Sequence, residues 1–511
     1  MAVDEVFSVG NREFRKKSEG KGYGETRNLR LIRIIICHKP YVGKNDMKGK
    51  DMDIITKLLH SCSIEGKKPL EPVLEWIETK SSSLKVSINK NKLSDSPNWF
   101  YDEEHGEIRN QNNSFFQIRG LRHFKENEIL TEQPILIQEE IGYLGIICKD
   151  INGVLHLLMQ AKIEPGNVNK IQISPTIQAT KSNFTQKHGG RKPSYLDYFL
   201  NADKHTIIFD QIQSEQSSRF LGKRNRNIMI KVDEDIEVLP SHMWMTMWQL
   251  KQLMKIDNLV NMDTRTVLSC IPYHLADISE SALDGLRCLF QDKSLFESMF
   301  AKPDHDAFVR IYRYINNYKM LYAGRNEIVP LKELAEWNFT DSEIVHKEGY
   351  AFKVIFADIE IEGREVTHWT QPLFEAVGMA TFGLICADFN GKTMFLVHCL
   401  HEAGCFDGME LAPSVQLEAG TSEDEYNEIT GFFFNQLKDE SCIRNNVILS
   451  EEGGRFYCEQ NKNIVINIDA KKLPNLPEGY FWVDYRTLCE MVQYNNVLNI
   501  QLRNLLSLLE I

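Results

Sequence analysis

No run in this chain approaches the roughly 18 consecutive apolar residues that a membrane-spanning helix needs, so no membrane span is expected. No Cys-x-x-Cys pair occurs among the 11 scattered cysteines. They read as free thiols in a reducing compartment, not as a disulfide framework. No secretory signal is expected either. Residues 1–24 are polar and of mixed charge, and the short apolar piece 31–37 is broken by Arg33. A cytoplasmic location is the resulting expectation. Positive charge is in deficit, with 59 basic against 71 acidic residues and a net charge of −12. A broad nucleic-acid surface wants the opposite sign, so any anion site must be a local cluster of Lys and Arg.

Common catalytic and binding signatures are also absent. There is no Gly-x-Ser-x-Gly elbow. Gly20-Lys-Gly-Tyr-Gly24 has no strand before it and no helix after it, so it is not a dinucleotide loop. Gly391-Lys392-Thr393 resembles the end of a phosphate loop, but Cys386 stands where the first glycine is needed. Asn183-Phe-Thr185 spells a glycosylation site that a cytoplasmic chain would not use. His398, Cys399, His401 and Cys405 suggest zinc. Strand alternation separates the first two, and the matching residues of the first copy described below (Gln160, Ala161, Ile163, Asn167) are poor ligands. No metal is expected.

What the chain does have is 511 residues with ordinary globular proportions, 42% apolar and 25% charged. At roughly 100–200 residues per domain, two to four domains or one duplicated unit fit. The sequence repeats itself. Residues 133–178 align without a gap on 371–416 at an offset of 238, with 13 identities in 46 positions. The shared positions include Gln133/Gln371, Gly145/Gly383, Asn152-Gly153/Asn390-Gly391, Glu164/Glu402 and Gly166/Gly404. Ser214-Glu215 and Arg219-Phe220 match Ser450-Glu451 and Arg455-Phe456 at offset 236. Trp76 is matched with Trp337, which implies extra residues early in the first copy. The period is too long for a solenoid, so two homologous domains are expected.

Each copy has the same coarse layout. Asn-Gly between two apolar runs (142–150 and 154–161; 382–388 and 393–399) signals a hairpin, because both turn positions favour positive φ. A third strand is expected over 170–178 or 409–416, another over 227–232 or 463–468, and then a helical tail. Helical spacing over 279–322 predicts a connector. The expected fold class is α+β, divided into an N-terminal extension (1–65), a first repeat (66–272), a helical connector (273–330) and a second repeat (331–511).

The copies differ in charge. Lys162 of copy one is Leu400 in copy two. Lys223, Arg224 and Arg226 face Glu459, Gln460 and Lys462. Copy one adds Lys187-His188 and Arg191-Lys192 where residues 422–428 of copy two are acidic. Arg forks suit phosphate and Lys supplies a point charge, so an anion site is expected in copy one. A solvated basic loop is the alternative.

Long strings carry a family resemblance. They include Phe115-Phe-Gln-Ile-Arg-Gly-Leu121, Leu157-Leu-Met-Gln-Ala-Lys-Ile-Glu-Pro-Gly-Asn167, Ser174-Pro-Thr-Ile-Gln-Ala-Thr-Lys-Ser-Asn183 and Asp257-Asn-Leu-Val-Asn-Met-Asp-Thr-Arg265. The second half adds Trp369-Thr-Gln-Pro372, Glu410-Leu-Ala-Pro-Ser-Val-Gln416 and Ser450-Glu-Glu-Gly-Gly-Arg455. From about Leu70 onward the chain resembles the NDP-hexose 2,3-dehydratases of deoxysugar biosynthesis. The resemblance implies a homodimer whose subunit holds two tandem Nudix-like domains, one pocket catalytic and the other degenerate. It implies a dTDP-4-keto-6-deoxyhexose substrate, no cofactor, and a downstream 3-ketoreductase as a possible partner. The Nudix hydrolase signature Gly-x5-Glu-x7-Arg-Glu is absent from both copies, which disfavours pyrophosphate hydrolysis.

The implied chemistry needs a base for the C3 proton, an acid for the departing C2 hydroxyl, and donors for an enolate and a diphosphate. Glu164 or His188 is the expected base and Lys162 the enolate partner. Because Glu402 repeats Glu164, a structural role in the Pro-Gly turn stays open. Arg224 and Arg226 are the expected diphosphate or enolate contacts, with Lys187 and Arg191 next. Gln133, Asn167 and Arg219 complete the binding set, and Gln371, Glu410 and Arg455 mark the second pocket. A non-catalytic nucleotide-sugar sensor or a Nudix-type hydrolase are the rival readings.

Overall fold

The computed structural model describes residues 53–63, 66–185, 191–275, 280–300, 302–362 and 366–509. The extension up to residue 52, with its glycine-rich segment, lies outside them. Helices and strands are mixed within each half, and each half carries one large core sheet. The first runs Thr206–Ser214, Arg224–Lys231, Gly142–Ile151, Val154–Ile163, His242–Thr246. The second repeats that order as Ile443–Ser450, Gln460–Ile468, Thr381–Phe389, Lys392–Leu400, Tyr480–Asp484. In both, the central pair is antiparallel and its neighbour (Arg224–Lys231 or Gln460–Ile468) joins it in parallel.

The hairpin turns form as the Asn-Gly pairs require. Asn152 and Gly153 have φ of 56° and 82°, and Asn390 and Gly391 have 56° and 83°. The expected third strand is split in both copies. Ile171–Ser174 pairs with Val154–Ile163, while Ile177–Ala179 crosses to Gly142–Ile151. Pro175 sits at the break and has no N–H to continue a ladder. Glu410–Pro413 and Val415–Leu417 repeat this split.

An antiparallel sheet accompanies each core sheet, and here the halves exchange strands. The first such sheet holds Trp99–Asp102, Glu107–Asn110, Gln117–Lys125 and Glu128–Ile137. Its edge is completed by Gly324–Val329, which precedes the second copy: Gly324 pairs with Lys125 and Val329 with Gly120. Reciprocally, Val86–Asn91 pairs with Phe352–Ile361 of the second copy. These exchanged strands lie 238 residues apart, as do Trp99 and Trp337 at the starts of Trp99–Asp102 and Trp337–Phe339. Trp99 is therefore the partner of Trp337, and no extra residues intervene. Trp76 lies instead on the helix Glu71–Ser83, where its indole N–H donates to Pro240 O.

Within the expected connector lie helices Glu280–Leu289, Lys293–Phe300 and His305–Leu321. Lys293–Phe300 packs on Lys392–Leu400 as Ile54–Cys62 packs on Val154–Ile163. Each of those two helices offers a serine hydroxyl to a helix start: Ser61 Oγ accepts Met247 N–H and Ser298 Oγ accepts Tyr485 N–H. One apolar core joins the halves, with Leu157, Met245 and Val267 in the same buried cluster as Val397, Val483 and Leu505. Fully burying such a side chain contributes about 1.5–3 kcal/mol, so the halves are locked together. Among the described residues no helix is long and apolar enough to cross a membrane.

Candidate active site

A cavity of about 410 Å³ opens beside the first core sheet. Strand Val154–Ile163 brings Lys162 to it, and Glu164 follows in the next turn. Lys162 Nζ stands 3.1 Å from Glu164 Oε1 and donates to Gln178 O at 2.9 Å. Helix Met262–Ser269 is capped by Asn261, whose Oδ1 accepts Thr264 N–H at 2.9 Å. That cap fixes the first turn, which places buried Asp263 in the cavity wall. Lys223 and Asn225 enter from the start of Arg224–Lys231. Asn225 Nδ2 donates to Glu215 Oε1 at 2.7 Å while its Oδ1 accepts Gly142 N–H.

The remaining wall comes from the second copy. The turn holding Glu452, Gly454 and Arg455 reaches across to the first. Gly166 N–H donates to Gly453 O at 2.7 Å, and Cys458 N–H donates to Gly166 O at 2.9 Å. Gln371 Nε2 donates to Gly454 O at 2.7 Å and accepts Trp369 Nε1–H on its Oε1. Arg265 of the first copy, fully buried, donates to Ser450 O at 2.9 Å. The approach is close enough to demand glycine. A Cβ on Gly166 would lie 1.6 Å from Phe456 O, and one on Gly404 would lie 2.0 Å from Phe220 O in the mirror-image crossing. That accounts for the shared glycines Gly166 and Gly404.

Four carboxyls and several cations crowd this space. Burial pushes the Asp263 carboxyl well above its usual range, and Glu215 and Glu452 add to this against the pull of Lys162. Burial also raises Glu452 to about 7, opposed by Arg455. Burial lowers Lys223 to about 8, with Glu215 pulling the other way. Groups poised near neutrality in a cleft suit proton transfer.

The structure sorts the residues expected from sequence. Lys162, Glu164 and Arg191 line the cavity, and so do Gln371 and Arg455, which the sequence assigned to the other pocket. Arg219 and Gln133 cross in the opposite direction. Arg219 pairs with Glu418 at 3.0 Å and lies 3.8 Å from Glu459, over the Phe352 ring. Gln133 accepts Tyr350 O–H and donates to Ser218 O. Glu410 accepts from Ser214 Oγ, and burial raises it to about 7. Arg224 stacks on Phe406, and Arg226 pairs with Asp210 and donates to Tyr143 Oη. Neither is among the cavity-lining residues. Asn167 ties its own loop, donating to Lys162 O and Lys170 O. Lys187 and His188 lie outside the described residues. His398 and His401 accept no partner from each other: their Nδ1 atoms meet Pro413 O and Gly408 O, and no metal-ligand cluster occurs among the described residues.

Sequence reasoning passed over Asp263, Glu452 and Lys223 as individual site residues. The signal lay in the comparison of copies. Their counterparts are Gln501, Gln216 and Glu459, just as Leu400 replaces Lys162. The ionisable set of this cavity is thus altered at four positions in the other copy, while the residues that tie the crossing turns are kept.

The comparisons with known proteins agree with the duplicated layout. The family model described as NDP-hexose 2,3-dehydratase matches residues 70–271 and again 309–509. A dTDP-4-dehydro-6-deoxy-alpha-D-glucopyranose 2,3-dehydratase of Saccharopolyspora spinosa is 36% identical over 439 residues, covering 84% of this chain and 89% of that protein. Proteins of the same description from Streptomyces violaceoruber and Amycolatopsis orientalis are 34% and 33% identical over 437 and 447 residues. These cover 84% and 86% of this chain, and 95% and 89% of those proteins.

Proposed function

This chain belongs to the NDP-hexose 2,3-dehydratase family of hydro-lyases, and from that premise we propose that it removes water across C2 and C3 of a dTDP-4-keto-6-deoxyhexose in the cavity between Lys162 and Arg455. The observation that carries the location is the asymmetry of the two copies: Lys162, Asp263, Lys223 and Glu452 meet in one cavity, and Leu400, Gln501, Glu459 and Gln216 stand in their places in the other copy.

The chemistry follows from the 4-ketone. It acidifies the C3 proton and makes the C2 hydroxyl a β-leaving group. The base removes the C3 proton, and the electrons collect on the C4 oxygen as an enolate. They return as the C2–O bond breaks, leaving an enol that tautomerises to the 3-ketone. The conversion is redox-neutral, so the reading calls for no hydride carrier. Lys162, held at 3.1 Å from Glu164, is assigned the developing enolate, and a fixed cation in a largely buried site is worth more there than in water. Glu164 or His188 is assigned the C3 proton. Arg455, Lys223 and Arg191 also bring cationic side chains to the cavity lining, and the diphosphate is assigned to them. Each copy is taken as a Nudix-like domain, the protein as a homodimer, and the diketone product as the substrate of a 3-ketoreductase.

The test is the mass of the product from a dTDP-4-keto-6-deoxyglucose donor, first with neither metal nor NAD added, and then after a 3-ketoreductase and its reduced nicotinamide are supplied to trap the diketone. A loss of about 18 mass units without free nucleoside monophosphate is expected before the trap, and a net loss of about 16 after it, because elimination removes H₂O and the reductase adds two hydrogens. Binding without mass loss points to a sensor, and release of nucleoside monophosphate points to a hydrolase; either overturns the proposal.

A further inference from the structure

The elimination also needs a proton for the departing hydroxyl, and the cavity holds a carboxyl that the assignments above leave idle. Asp263 is 2% exposed yet lines the cavity, and its Oδ2 has no hydrogen-bond partner among the described residues. Glu215, Glu452 and Glu164 act on it, opposed by the cations Lys162 and Arg265. Arg265, two residues along, is occupied by Val260 O and Ser450 O. A helix start favours an anion, but burial beside three carboxyls works in the opposite sense and dominates. A carboxyl kept neutral in this way is able to donate its proton, which an ionised one cannot do. At the same helix position the second copy has Gln501, an amide without an acidic proton.

Resting on the dehydratase reading, we propose that Asp263 is the general acid that protonates the leaving C2 hydroxyl. The base takes the C3 proton and the C3–H electron pair forms the enolate. Return of that pair creates the C2–C3 double bond and breaks C2–O. The hydroxyl takes the Asp263 proton and leaves as water. The carboxylate so formed is reprotonated from the conjugate acid of the base, and no net proton is consumed.

The two half-steps are separable. Asp263→Asn keeps the size of the side chain and removes the acidic proton. Incubated with the dTDP-4-keto-6-deoxyglucose donor in D₂O, the variant is expected to lose water formation by about 100-fold or more while still washing deuterium into C3 at close to the wild-type rate. Loss of C3 exchange together with water formation overturns the assignment, because a group acting only as the acid is not needed for proton abstraction. Water formation within a few-fold of wild type also overturns it. A wild-type enzyme that exchanges or binds but never loses water overturns the dehydratase reading, and the proposal with it. The wild-type pH profile is a second measurement, free of any folding defect. Water formation is expected to fall on the alkaline side while C3 exchange does not fall with it, and two profiles that coincide contradict the proposal.

Discussion

Gly166→Ala tests whether the second copy must reach into the first. The added Cβ would lie 1.6 Å from Phe456 O, a backbone atom that cannot swing away as a side-chain tip would. The crossing turn must back off by more than 1 Å to restore van der Waals contact. Two hydrogen bonds go with it, Gly166 N–H to Gly453 O at 2.7 Å and Cys458 N–H to Gly166 O at 2.9 Å. At about 1 kcal/mol net for each bond, plus the strain of an overpacked contact, the expected loss is about 3 kcal/mol. Gly404→Ala meets Phe220 O at 2.0 Å and should destabilise similarly. The two variants are expected to part in their kinetics. Gly166→Ala displaces Gly453, Gly454 and Arg455 from the cavity and should lower kcat/KM at least tenfold, whereas Gly404→Ala disturbs the other crossing and should leave it within a few-fold. Gly285→Ala is the control, since nothing lies within 4 Å of a Cβ built at this exposed position of helix Glu280–Leu289, and it should stabilise by up to about 1 kcal/mol. Denaturant midpoints and steady-state kinetics give both readings. A Gly166→Ala enzyme with wild-type midpoint and kinetics, or equal kinetic losses in both glycine variants, refutes the reasoning.

Other perturbations separate chemistry from packing. Lys162→Leu, which installs the residue of the second copy, should cut kcat by about 10²–10³ while circular dichroism stays native; a loss below tenfold removes Lys162 from the enolate. Arg455→Ala should raise KM for the nucleotide sugar by about 10–100-fold, the value of a charge-assisted hydrogen bond, as measured by initial rates. Arg219→Ala strands buried Glu459 and should cost about 3 kcal/mol in chemical denaturation without that rise in KM. Burial, then Glu410 and Glu418, raise Glu402 from its ordinary 4.5 to about 8. Across that window the folded protein holds a proton that the unfolded chain has released, so this group lowers stability as pH rises. Glu402→Gln should match wild type near pH 5 and unfold at a higher midpoint near pH 8; a difference that does not grow with pH refutes the sign.

The duplicated sheets were legible because their signals are local. Asn152-Gly153 and Asn390-Gly391 needed positive φ at both positions, and they adopt it. The crossings were not legible, because a residue next to its own copy's strands gives no sign that its turn leans on the other copy. Hence Gln371 and Arg455, which the sequence assigns to the second copy's pocket, line the first copy's cavity, while Arg219 and Gln133 reach Glu418 and Tyr350 of the second copy. The cationic run at Lys223-Arg-Asn-Arg226 is divided by the fold. Lys223 lines the cavity, whereas Arg226 is neutralised by Asp210 and Arg224 lies over Phe406. Asp263 was hidden by its position, since an acidic residue in the first turn of a helix is unremarkable until its burial is known.

The most direct test of the shared site is a crystal structure with an unreactive dTDP-6-deoxyhexose that lacks the 4-ketone. The sugar is expected beside Lys162 and Asp263, with the diphosphate against Arg455 and Lys223. Density for the ligand only beside Arg219 and Glu418, with the Lys162 cavity empty at saturating ligand, would contradict it.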